Sequence, residues 1–130
     1  MIRIANGQGF WGDWLEAPVR LVDQGPIDFL VLDYLAEVTM SILQKQKQED
    51  PALGYARDFP PLIGRIAKQM LDRNIRVIAN AGGVNPIACA FWLPHNVSSA
   101  SAVARGRLSV TSSANARTSR VSFGSINASQ

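Results

Sequence analysis

Three short apolar runs, each ending in a polar or glycine-rich loop and separated from the next by segments of helical periodicity, restrict the fold of this chain most. Ile2 to Asn6 reads as a strand with Ile2 and Ile4 on one face, running into Gly7-Gln8-Gly9-Phe10-Trp11-Gly12-Asp13. Ile27 to Leu32 contains Phe29-Leu30-Val31-Leu32, whose lack of polar alternation suits a strand covered on both faces. Ile75 to Ala79 is the third run, followed by Asn80-Ala81-Gly82-Gly83-Val84-Asn85-Pro86.

The intervening segments read as helices. Pro18 serves as a first helical residue, so the helix runs from Pro18 to Gln24 and closes at Gly25-Pro26, with Asp13 to Ala17 as a turn. After Asp33, residues Leu35, Val38, Ile42 and Leu43 recur at helical spacing before the helix turns wholly polar from Gln44 to Glu49. Asp58 is placed to cap a further helix in which Phe59, Leu62, Ile63, Ile66, Ala67, Met70 and Leu71 step by three or four. Strand, helix, strand, two helices, strand indicates an α/β fold: a partial parallel three-stranded sheet with crossover helices, like half of a Rossmann fold. Parallel strands bring the loops that follow them to one edge, where ligands of open α/β sheets gather.

Composition changes sharply near residue 95. Ten of the eleven serines lie beyond it, with four arginines and no acidic residue. Residues 1–94 are therefore read as the folded domain and 95–130 as a Ser/Arg-rich, low-complexity, disordered tail with too few apolar groups to offset the entropy of ordering. The first 80 residues carry nine basic and ten acidic groups, so the formal charge of +3 belongs to the tail and the folded part offers no cationic face for nucleic acid. No apolar run is long enough to span a bilayer, no secretory signal opens the chain, and the single cysteine, Cys89, reads as a small buried helix residue. A cytoplasmic location follows as the expectation. His95, the only histidine, lies beyond the last expected ordered element, so no metal site is expected.

Two constellations could carry chemistry. Gly7-Gln8-Gly9-Phe10-Trp11-Gly12 matches G-x-G-x-x-G after a strand, and Asp33 closes the next strand, as in a dinucleotide-binding fingerprint. Pro18 delays the helix, however, and Phe10 and Trp11 crowd the cradle; the glycines equally suit a plain turn. Gly82 and Gly83 can expose backbone N–H groups to a phosphate- or carboxylate-bearing ligand, with Asn80 and Asn85 adding amide groups. Asp33 and Glu37, one helical turn apart at a helix start, are either a cap or a general acid/base pair. Phe10, Trp11 and Trp14 either wall a pocket or pack in the core, with packing the commoner use of large aromatics.

Taken together, Asn6 to Asp13, Val31-Leu32-Asp33-Tyr34-Leu35-Ala36-Glu37-Val38-Thr39-Met40 and Asn80 to Pro86 resemble the N-terminal part of the acyclic terpene utilisation (AtuA-like) family. The resemblance holds to about Phe91, where this sequence departs from the family's pattern. It implies a fragment of a longer cytosolic protein of isoprenoid breakdown through acyl-CoA intermediates, with a lyase-like step on a branched acyl-CoA as its most concrete activity. On that reading Asp33 and Glu37 are the reactive carboxylates, while Gly7, Gly9, Gly12, Asp13, Asn80, Gly82, Gly83 and Asn85 hold a small-molecule ligand, with acyl-CoA the candidate; no cofactor is assigned. The uncovered sheet surface of such a fragment implies self-association into a homo-oligomer. A dinucleotide-binding module and an inactive remnant or mispredicted gene product stand as alternatives.

Overall fold

The computed structural model describes residues 1–93 and 108–110. In chain order the elements are β1 (Ile4–Gln8), α1 (Glu16–Gln24), β2 (Phe29–Leu32), α2 (Glu37–Glu49), α3 (Phe59–Asp72), β3 (Arg76–Ala79), α4 (Pro86–Phe91) and β4 (Leu108–Val110). The fold is α/β, with every strand pair parallel, as the alternation of periods indicates. The sheet has four strands in the order β1-β2-β3-β4. The fourth lies within the segment read as a disordered tail; the rest of that reading falls outside the described residues. Three residues are too short to show a period, and pairing to β3 rather than local pattern makes them a strand.

Strand order rises steadily, so right-handed crossovers place their helices on one face. That face carries Leu30, Leu32, Val77 and Ala79, all buried beneath Val22 of α1 and Phe59, Leu62, Ile63, Ile66 and Met70 of α3. The amphipathic stripe read in α3 is the stripe that packs, except for half-buried Leu71. The other face is open among the described residues: Ile4 is 68% exposed, Ile78 39%, and Phe29 and Val31 are half-buried. Coverage of β2 on both faces, expected from its apolar run, is therefore not seen among the described residues, because α1 and α3 pack on the same face.

Boundaries shift for local reasons. Helix α1 starts two residues before Pro18, which sits inside the first turn where its missing N–H has no partner to lose. At its other end Gly25 N donates to Leu21 O at 2.9 Å, and Arg73 donates to the carbonyls of Val22, Asp23 and Gly25, tying α1 to the end of α3. In α2 only Leu43 is buried; Val38 and Ile42 are 70% and 45% exposed. This helix rests by Leu43 on Gly83 and by Lys47 on Gly54 and the Val84 carbonyl, so it needs no wide apolar stripe.

Candidate functional site

The ends of β1, β2 and β3 meet at one edge and are stitched together by side chains. Asp33 N donates to Gln8 O (3.1 Å), linking the first two loops. Asn80, directly after β3, accepts from Tyr34 N through Oδ1 (2.7 Å) and donates through Nδ2 to Asp33 Oδ1 (2.6 Å). Leu35 N also donates to Asp33 Oδ1, at 3.3 Å, and Asp33 Oδ2 has no hydrogen-bond partner among the described residues. Asp33 is thus an exposed carboxylate oriented through one oxygen and open at the other. Glu37 is exposed at the first position of α2, where a helix N-terminus favours negative charge. The two acids do not share a helix: α2 begins only at Glu37, because Asp33 and Tyr34 are held to the sheet edge by Gln8 and Asn80.

The glycine-rich loop after β1 is closed on itself. Asp13 accepts from Gly9 N (3.0 Å) and Trp14 N (2.7 Å), bonds that lower the pKa of its exposed carboxyl. A protein carboxylate therefore takes the Gly9 amide that a pyrophosphate would use. Gly7 instead lies under α1, where an added Cβ would stand 2.9 Å from Leu32 Cδ2 and 3.0 Å from Pro18 Cβ. Gly12 turns the loop at φ 94° with open space around it. Phe10 and Trp14 are exposed at 58% and 56%, Trp14 beneath the Arg20 guanidinium, and Trp11 alone of the three aromatics packs against the core.

The loop after β3 divides between packing and support. Gly83 (φ 53°) has no room for a side chain: a Cβ there would lie 2.5 Å from Leu43 Cδ1 and 2.7 Å from Gly54 O. Asn85 caps α4, its Oδ1 accepting from Ala88 N at 3.4 Å, while Nδ2 donates to the carbonyls of Pro51 (2.8 Å) and Leu53 (2.7 Å). Gly82 O accepts from Asn85 N within the same turn. With Ala56 N donating to Ala81 O, these bonds bring the 51–57 segment to the carboxyl edge. There an open cleft of about 480 Å³ lies between Leu53, Tyr55, Arg57, Pro60, Pro61 and Trp92, with Asp50 and Ala52 at its side.

Sequence reasoning missed the polar group just inside this edge. Asp58, read as a helix cap, makes no side-chain cap bond; its half-buried carboxyl accepts from Trp11 Nε1 at 2.9 Å. Burial raises its pKa, and the Trp11 bond opposes that only in part. Tyr34 is fully buried, and its hydroxyl pKa is driven up by burial first and then by the nearby Asp58 and Cys89. The Gln8 amide lies close enough to favour the ionised Tyr34, yet neither Gln8 polar atom nor the Tyr34 hydroxyl reaches hydrogen-bond geometry with any partner. Cys89 is buried on α4 as expected, its thiol pKa pushed up to about 12 by burial. A glycine before Gln8 is the one sequence sign of a bulge able to re-aim that side chain.

Among the described residues no group of three or more His, Cys, Asp or Glu could hold a metal, and no helix is long and apolar enough to cross a membrane. The family model described as acyclic terpene utilisation family protein AtuA matches residues 2–109. The match runs past Phe91 and past residue 94, so the family pattern continues through α4 to the start of β4 rather than ending where the composition changes. No curated protein and no solved structure matches the chain.

Proposed function

This chain belongs to the acyclic terpene utilisation family, and from that premise we propose that its carboxyl edge binds a branched, isoprenoid-type acyl-CoA. The observation carrying this reading is the Asn80–Asp33 bond, which fixes one oxygen of an exposed carboxylate at the carboxyl edge and leaves the other open. A carboxylate so held can take a proton from a bound substrate, as a lyase-like step on a branched acyl-CoA requires. Glu37, one residue into α2, is the second acid within the same stretch of chain. Arg57 in the cleft supplies a cation for the phosphates of a CoA moiety, and exposed Trp92 supplies an aromatic face for its adenine. The closed Gly9–Asp13 loop disfavours a dinucleotide as the ligand, since its amide is already engaged. Such a protein would work in the cytoplasm.

Calorimetric titration of the 130-residue chain with isovaleryl-CoA tests the reading. Saturable heat that is lost in Arg57→Ala and undiminished by free isovalerate, which lacks the CoA moiety, supports it. Absence of heat with millimolar isovaleryl-CoA would remove it, and unchanged chemistry or binding in Asp33→Ala would remove Asp33 from the site.

A further inference from the structure

The cleft at the carboxyl edge is lined by three stretches of chain: Asp50 to Arg57, the start of α3 at Pro60 and Pro61, and Trp92 at the end of α4. The start of α3 is anchored by the core, since Phe59, Pro60, Leu62 and Ile63 are buried. The other two stretches have less to hold them. Residues 50–57 form no helix or strand, and α4 has six residues, too few to be stable by its own hydrogen bonds.

Those two walls converge on one side chain. Asn85 Nδ2 donates to the carbonyls of Pro51 (2.8 Å) and Leu53 (2.7 Å), on either side of the lining residue Ala52. Its Oδ1 accepts from Ala88 N (3.4 Å) and caps α4, which Trp92 closes at the other end. Donor and acceptor of an amide lie in one rigid plane, so this group sets the 51–53 wall against the start of α4. The remaining ties act elsewhere. Val84 N to Gly54 O and Ala56 N to Ala81 O hold the segment from Gly54 onward, while buried Cys89 and Leu93 hold α4 to the core. Apart from Asn85, the hydrogen bonds of residues 51–53 run only to the adjacent Asp50, from Ala52 N and Leu53 N.

We propose that Asn85 is a positioning residue that sets the width of the cleft, and so the fit of the ligand's nucleotide end against Trp92. This rests on the acyl-CoA reading only in the choice of ligand. Loss of the Nδ2 bonds frees the Leu53 wall alone; loss of the whole amide frees both walls.

Asn85→Ser and Asn85→Ala separate these effects. Serine keeps an oxygen able to cap α4 and has no amide nitrogen for Pro51 and Leu53, whereas alanine keeps neither. In the full chain without ligand, amide hydrogen exchange at Leu53 should quicken about tenfold in both variants, as loss of the bonds to that stretch entails. Exchange at Ala88 should quicken only in Asn85→Ala. Calorimetric titration with isovaleryl-CoA, well below the melting temperature of either variant, should show affinity reduced about fivefold or more in both, because a loosened wall must be ordered on binding. A role confined to stability would leave the affinity of the folded chain unchanged, and that result would overturn the proposal. So would unchanged exchange at Leu53 in both variants. If isovaleryl-CoA gives no heat even with the unsubstituted chain, the acyl-CoA reading falls, and exchange at Leu53 decides for or against Asn85. If it binds the unsubstituted chain and both variants alike, the reading stands and the proposal falls.

Discussion

At the carboxyl edge Asp13, Asn80 and Asn85 each bond through both of their side-chain polar atoms to neighbouring segments of chain, whereas just inside that edge Gln8 and Tyr34 are buried with their polar atoms unmet. The two regions share the same strands and differ in what their polar groups do for the fold. Amide and carboxylate at the edge replace backbone partners that loops lack, so they hold the 51–57 segment and the loop after β3 in place. Those inside contribute apolar contact and no hydrogen bond. A polar residue that stabilises and a polar residue that is carried at a cost can thus be told apart by substitution.

The sharpest test at the edge is steric. Gly83→Ala places a Cβ against Leu43 and the Gly54 carbonyl at a backbone φ of 53°, and the combined strain and overpacking should lower stability by about 2–4 kcal/mol. Urea unfolding followed by circular dichroism measures it, and a loss below the error of the titration would show the edge to be plastic. Asn85→Ala comes next. It removes the α4 cap and leaves the carbonyls of Pro51 and Leu53 without their donor, for an expected loss of about 1–3 kcal/mol. Asn80→Ala frees Tyr34 N and Asp33 Oδ1 at a site more open to water, and about 1–1.5 kcal/mol is expected. Should Asn80→Ala prove harmless, the contrast between edge and interior would collapse.

How far the sequence reveals this molecule depends on the range of the interaction involved. Helix α3 is legible because its period and its burial coincide: Phe59, Leu62, Ile63, Ile66, Ala67 and Met70 all reach the core. The loops Gly7 to Asp13 and Asn80 to Asn85 are legible as sheet-edge features, and they do meet at one edge with Asp33. Periodicity says that a helix has an apolar side but not what that side touches, which is why Val38 and Ile42 fit the helical spacing of α2 and yet lie exposed. Likewise the choice of Asp58 between capping its own helix and accepting from Trp11 is decided 47 residues away in the chain. Gln8 was hidden by a register shift of one residue, and β4 by a pairing with β3 that three residues cannot announce.

Asp58 gives the smallest and most specific effect, because its sign is opposite to that of Asp13 at the edge. Burial raises its pKa above the ordinary 3.8, so the folded chain holds this proton to higher pH than the unfolded chain does. Between the two values the native state binds more protons, and stability falls as pH rises through that window. Asp13 runs the other way: amides of Gly9 and Trp14 lower its pKa, and its contribution is present above 3.8 and lost as pH falls through the folded value. Asp58→Asn keeps an oxygen to accept from Trp11 and removes the titration. It should therefore be more stable than the unsubstituted chain at neutral pH, with the gap closing as pH falls through that window toward 3.8, while Asp13→Asn should be less stable at neutral pH with a gap that closes below 3.8. Denaturant midpoints measured from neutral to acid pH distinguish the two. A gap for Asp58→Asn that is constant with pH would mean that the shape of the side chain, and not the burial of its charge, sets the difference between the interior and the edge.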